Sequence, residues 1–164
     1  MVIASVFDLV RASNAMLMGT VVRKRPLYSN FGERAEHPLV YELGATVARF
    51  DHQLTEWGSP GQVVADSEQT EVKRVVGAVR EWRRRGTKFS PKARTGFDSR
   101  LAQILNTIHF VADEDSPGVQ LADWISNITL GYHEFRRSET YAGILPLWRR
   151  FGFSRQEPVI LPAR

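Results

Sequence analysis

Two short apolar runs that lead into aspartates constrain the fold of this chain most strongly. The first is Gln62-Val63-Val64-Ala65-Asp66, and the second is Thr107-Ile108-His109-Phe110-Val111-Ala112, which is followed by Asp113. Each run has the length and content of a buried strand and precedes a segment with helical spacing. Alternating strands and helices favour an α/β fold, in which the carboxyl ends of parallel strands meet at one sheet edge. We therefore expect Asp66 and Asp113 to lie near the same edge.

The remaining patterns fit one α/β domain over residues 1–164. A chain of 164 residues with 43% hydrophobic content can bury one core but not two independent ones. We predict a three-layer fold with a mostly parallel sheet and flanking helices. Helices are predicted over residues 2–13, from 38 to about 54, from 67 to about 79, from 117 to about 136 and over 141–151; a strand is predicted over 15–22 and a loop over 28–37.

Composition narrows the chemistry that the chain is able to perform. It contains no cysteine, so disulfides and thiolate metal sites are excluded, and a metal would need carboxylate, imidazole or carbonyl ligands. Mg²⁺ and Mn²⁺ are the ions that such oxygen ligands suit. The apolar N-terminal residues reach Asp8 and Arg11 too soon for a signal peptide, and no run is long enough to cross a membrane. We expect a cytoplasmic protein without a membrane partner.

Positive charge is concentrated in one part of the chain. The formal net charge is +4, and the basic residues that we predict to bind nucleic acid are Arg80, Arg83, Arg84, Arg85, Lys88, Lys92 and Arg94. Such a cluster attracts polyanions, and the interleaved Trp82 and Phe89 would either stack on bases or anchor the segment to the core. The alternative is a solvated helix end and loop without a ligand.

The acidic segment after the second run begins a helix and also supplies candidate ligands. Ser116 is a favourable N-cap and Pro117 a favourable first helical residue. The apolar stripe predicted to face the core is Leu121, Ile125, Ile128 and Tyr132, and the polar stripe is Ser116, Gln120, Asp123 and Asn127. Asp123 lies in the second turn, where a carboxylate gains little from the helix dipole. Its position therefore favours a functional role for Asp123 over a role in stabilising the helix.

That functional role is to bind a divalent metal, in a site with ligands from separate elements. Asp66 would come from a strand end, Asp123 from the helix, and Asp113 or Asp115 from the acidic segment. Mg²⁺ is usually held by one or two carboxylates together with a substrate phosphate. The structural alternative is that Asp113 and Asp115 favour a helix start and that Asp123 pairs with a nearby arginine.

Two of these strings resemble signatures of the domain of unknown function 3800 family. They are Val63-Val64-Ala65-Asp66-Ser67-Glu68 and Asp115-Ser116-Pro117-Gly118-Val119-Gln120-Leu121-Ala122-Asp123. The second is similar to the Ser-x-Gly-x-Gln-Leu-Ala-Asp helix start of that family. The resemblance implies a ribonuclease H-like fold and divalent-metal phosphodiester chemistry. It places Asp66 and Asp123 in catalytic positions and makes Gln120 the motif partner of Asp123.

The chain departs from the family pattern at its beginning. Family members usually begin with a strand that carries an Asp-Glu-Ser-Gly-like motif, and nothing before Val6 supplies it. The chain then corresponds to a shortened member, to a truncated start, or to one part of a sheet that another chain completes. An exposed central strand edge is unfavourable, so we expect a homo-oligomer or a partner chain. Three hypotheses follow: a metal-dependent nuclease, a non-catalytic binder of nucleic acid or protein, and a structural subunit.

Overall fold

Helices and strands alternate along most of the chain. The computed structural model describes residues 5, 8–10, 12–13, 15–67, 69–86, 100–134 and 159–161. The strands are β1 (Thr20–Val22), β2 (Gly61–Asp66), β3 (Ile104–Val111) and β4 (Val159–Leu161). The helices are α1 (Lys24–Phe31), α2 (Pro38–Trp57), α3 (Gln69–Arg85) and α4 (Pro117–Glu134), with 3₁₀ turns at Gly32–Arg34 and Asp113–Asp115. The chain therefore has the predicted α/β character.

The described residues form two compact units. One contains residues 1–19 and 120–159, and the other contains residues 20–119 and 160–164. Their strands form two two-stranded sheets, β1 with β4 and β2 with β3. The strand at Val159–Leu161 is absent from our sequence predictions, whereas the helix predicted over 141–151 lies outside the described residues. None of the described helices is long and apolar enough to cross a membrane.

Helix α2 begins and ends where its sequence predicts. Pro38 occupies the first turn, where its missing N–H leaves no hydrogen bond unmade. Gly58 ends the helix in the left-handed conformation, with φ of 64°, and its N–H donates to the carbonyl oxygens of Leu54 and Thr55. The helix predicted from residue 38 to about 54 is confirmed, and it extends to Trp57.

The segment predicted as a loop over residues 28–37 begins within a helix instead. Helix α1 runs from Lys24 to Phe31 and is followed by a 3₁₀ turn. Pro26 looks like a helix breaker, but it lies in the first turn, where proline is tolerated. Leu27 is completely buried and anchors the helix to the protein. A single fully buried leucine does not produce the repeated apolar spacing from which a helix is predicted.

The main core lies between α2, α3 and the β2–β3 pair. Its buried side chains are Val47, Leu54, Val79, Trp82, Leu101 and Ile104. Partly buried Val63 and Ile108 extend this core onto the inner face of the two strands. Trp82 is therefore a core residue, which explains its position in the basic segment without a bound base.

At Gly61, β2 lies close to the side chains of Leu54 and Phe50 in α2. A Cβ added to Gly61 would overlap the terminal methyl groups of Leu54 and lie 3.0 Å from the Phe50 ring. Because Leu54 is itself buried, we expect Gly61→Ala to lower the free energy of unfolding by about 1–3 kcal/mol. Urea denaturation followed by tryptophan fluorescence measures this change.

Gly77→Ala is the matched control for that substitution. Gly77 lies on the exposed side of α3, and a Cβ there would meet no atom within 4 Å. Alanine in a helix interior should stabilise it by roughly 0.5–1 kcal/mol relative to glycine. Equal effects of the two substitutions would show that the close approach of Gly61 to Leu54 is unimportant.

Candidate functional site

The parallel register of β2 and β3 determines which side chains meet at their carboxyl edge. Asp66 is the last residue of β2, and its register partner in β3 is Val111. Beyond the strands, the Ser67 N–H donates to the Val111 carbonyl oxygen at 2.9 Å. Asp113 follows Val111 by two residues, so both aspartates leave the sheet at the same edge. This is the convergence that the two apolar runs predict.

Asp113 and Asp115 lie in the 3₁₀ turn that leaves this edge. Both side chains are exposed, as is Asp66. One Asp113 oxygen, Oδ1, accepts a hydrogen bond from the Glu114 N–H at 2.8 Å, which fixes its carboxylate against the turn. None of these three aspartates forms an ion pair with a lysine or arginine of the described segments. Within the described segments, the edge therefore concentrates negative charge that no ion pair neutralises.

His109 lies on the same exposed sheet face as Asp66. Its register partner is Val64, and both residues are exposed, whereas the following pair, Ala65 and Phe110, is partly buried. Because side chains alternate between the two faces of a strand, Asp66 shares the face of Val64 and His109. The pairing of the two strands thus determines the face on which His109 lies.

Helix α4 begins at the predicted cap. The Ser116 Oγ accepts a hydrogen bond from the Val119 N–H at 3.4 Å, and Pro117 is the first helical residue. Leu121, Ile125 and Ile128 are partly buried, whereas Gln120, Asp123 and Asn127 are exposed, as the two predicted stripes require. The side chain of Tyr132 lies outside the described residues.

Asp123 has a local partner in its own helix. The Asn127 Nδ2 donates to the Asp123 Oδ2 at 3.0 Å, and both side chains are exposed. The predicted alternative of a pairing with arginine has no counterpart among the described ion pairs. A single exposed hydrogen bond contributes little to stability. Within the part of the chain that the structure describes, Asp123 therefore has no contact that contributes strongly to stability.

Three arginines in the described part of the basic segment contact other groups of the protein. The Arg83 guanidinium donates to the carbonyl oxygens of Ile104 and Leu105, so it secures the start of β3. Arg84 and Arg85 both pair with Glu81, at 3.1 Å and 2.7 Å. Arg80 is exposed on α3. Lys88, Lys92 and Arg94 lie outside the described residues.

The predicted site residues fall into both compact units. Asp66, Asp113 and Asp115 belong to the unit that contains residues 20–119, and Gln120 and Asp123 belong to the other. Within the described segments, no three acidic or histidine side chains are grouped closely enough to hold a metal ion on their own. The carboxyl edge of β2 and β3 is therefore the part of the predicted site whose geometry is defined.

Comparisons of the chain with models of protein families, with curated proteins and with solved structures found no match. Membership of the family that the two motifs resemble thus stays a prediction.

Proposed function

We propose that this chain is a divalent-metal-dependent phosphodiester hydrolase with a three-layer, ribonuclease H-like architecture. The observation that carries the proposal is the register of β2 and β3, which brings exposed Asp66 and Asp113 to one edge. In parallel α/β sheets, ligands bind at the carboxyl ends of the strands. Asp115 in the adjoining turn adds to the negative charge there.

The donor set at this edge suits Mg²⁺ or Mn²⁺ that retains several water ligands. Carboxylate oxygens are hard donors, and Mg²⁺ is typically bound through one or two of them together with a substrate phosphate. The edge does not suit an ion that takes all its ligands from protein, because no group of three acidic or histidine ligands occurs in the described segments. The cation would therefore be held by Asp66 and Asp113, with Asp115 in support.

Each residue at the edge has a distinct role in the proposed reaction. When bound, the cation would polarise a phosphoryl oxygen and lower the pKa of a coordinated water. Asp66 and Asp113 supply the negative charge that retains it. His109, which lies on the same exposed face as Asp66, would accept a proton from the attacking water. The role of Asp123 rests on the motif resemblance and requires its own substitution.

A non-catalytic nucleic-acid-binding protein is the second candidate. Its support is the end of α3, where Arg84 and Arg85 are exposed and Glu81 is the one acidic residue among Arg80–Arg85. A protein of this kind would bind polyanions in a salt-dependent manner, and substitution of Asp66 would leave that binding intact. The same preparations used for the hydrolase assay therefore distinguish the two functions.

The direct test uses the purified full chain with fluorescent single-stranded and duplex DNA and RNA. We expect cleavage with Mg²⁺ or Mn²⁺ and none with EDTA, because the proposed chemistry depends on the cation. Electron paramagnetic resonance of Mn²⁺ measures metal binding independently of activity. Failure of every substrate to be cleaved, together with no Mn²⁺ bound at millimolar concentration, would refute the hydrolase.

A further inference from the structure

Helix α1 exposes two aromatic rings and a cation along one face. Lys24, Tyr28 and Phe31 follow the i, i+4, i+7 spacing that places side chains on the same side of a helix. Tyr28 is 49% exposed and Phe31 is 44% exposed. Leu27 is fully buried, and its i, i+4 spacing from Phe31 places these two side chains next to each other on the helix. The aromatic rings therefore lie at the border between the buried side of the helix and solvent, where each keeps much of its surface exposed.

The ring of Phe31 lies against a residue of α2. Its centroid lies 6.3 Å from that of Tyr41, with the two ring planes inclined by 50°. Tyr41 is partly buried, so this contact holds Phe31 against the protein while leaving much of its surface exposed. Tyr28, one turn earlier in α1, extends the exposed aromatic surface.

Positive charge lies at one end of this aromatic face. Arg23, Lys24 and Arg25 are consecutive at the start of α1, and the first turn contains no acidic residue. Helix stability does not explain this arrangement, because the positive end of the helix dipole disfavours cations. The Arg23 side chain provides no cap, and no ion pair joins Lys24 or Arg25 to another residue of the described segments. The charge is complementary to a polyanion.

We propose that this face of α1 binds a single strand of nucleic acid. Unpaired bases stack on Tyr28 and Phe31, while Lys24 and Arg25 contact the phosphates. A duplex is a poor ligand for these rings because its bases are already stacked on each other. An anionic membrane fits less well, since an interfacial helix needs a broad apolar face and this one has two rings. The inference goes beyond the proposed hydrolysis and requires neither a cation nor the β2–β3 edge.

The test measures binding of a fluorescent thymidine 15-mer, and separately of a uridine 15-mer, by anisotropy in EDTA and low salt. Removal of one ring, in Tyr28→Ala or Phe31→Ala, should weaken binding by about tenfold, and removal of both by roughly 100-fold. Tyr28→Phe should bind like the unmodified chain because it keeps the ring. Lys24→Gln should weaken binding and reduce its dependence on salt concentration.

Trp57→Ala is the matched control, because Trp57 is an exposed aromatic residue at the end of α2, outside this face. Circular dichroism checks that every variant is folded, and Tyr28→Leu with Phe31→Leu replaces any alanine variant that is not. The inference is overturned if the chain binds neither 15-mer, if loss of both rings leaves affinity unchanged, or if a duplex or anionic vesicles bind more tightly. Because EDTA prevents metal-dependent cleavage, failure of the proposed hydrolase leaves this measurement unaffected.

Discussion

Asp51→Ala is expected to lower the free energy of unfolding by about 3 kcal/mol. The Asp51 side chain is buried in α2, and its Oδ1 accepts hydrogen bonds from the N–H groups of Gln103 at 2.8 Å and Ile104 at 3.2 Å. Alanine would leave both donors without an acceptor at the start of β3. An unsatisfied buried donor is destabilising by roughly 1–3 kcal/mol, so the loss should be large even if water reaches one of them.

Asp51→Asn separates the hydrogen bonds from the charge. Its amide oxygen is able to occupy the position of Oδ1 and accept from both N–H groups, so we expect a loss of about 1 kcal/mol, since bonds to a charged acceptor are stronger. Chemical denaturation followed by tryptophan fluorescence, to which buried Trp82 contributes, measures both variants. If alanine and asparagine destabilise the protein equally, Asp51 does not act through these two backbone donors.

The importance of Asp51 is only partly visible in the sequence. It follows Val47 by four residues and precedes Leu54 by three, so it interrupts the apolar stripe of α2 with a carboxylate. That position indicates a buried acid, but its partners are more than 50 residues away in the chain. Helical periodicity predicts the buried face of α2 and contains no information on which strand lies against it.

Local patterns predicted the elements of the candidate site better than they predicted its assembly. Strands ending near Asp66 and Asp113 and a helix starting at Pro117 follow from apolar runs and capping residues, and all three are confirmed. The exposed face of His109 depends on register, which includes an irregularity between Gly61 and Val63. Helix α1 escaped prediction because its burial depends on a single leucine, Leu27, and because Pro26 resembles a breaker.

The contacts made by the basic segment were also only partly predictable from its sequence. Seven positive residues within fifteen positions predict a surface for polyanions. In the structure, Arg83 donates to the carbonyl oxygens at the start of β3, and Arg84 and Arg85 pair with Glu81 while their side chains stay exposed. Spacing within α3 favours the two pairs with Glu81, which lie three and four residues apart. The contact of Arg83 with β3 depends on tertiary packing, which the sequence pattern does not contain.

Asp66→Asn is expected to reduce metal-stimulated phosphodiester cleavage by at least about 100-fold, the scale on which loss of one catalytic group usually acts. Asparagine has nearly the same shape as aspartate but lacks its negative charge, so the cation would be held less tightly. Because Asp66 is exposed, the free energy of unfolding should change by less than about 0.5 kcal/mol. Steady-state kcat/KM with Mg²⁺ and the affinity for Mn²⁺ measure the two consequences of the lost charge.

Glu33→Gln is the control with the same change of charge, at an exposed residue in the turn after α1. It should cleave like the unmodified chain, whereas equal losses in the two variants would indicate a general effect of net charge. Asp123→Asn tests the motif residue separately. Its exposed hydrogen bond to Asn127 contributes little to stability, so this substitution should leave the chain folded. If Asp66→Asn and Asp123→Asn each remove cleavage without unfolding the chain, both residues are required for the reaction. If Asp66→Asn alone does so, the reaction requires Asp66, and the motif resemblance at Asp123 has no catalytic meaning here.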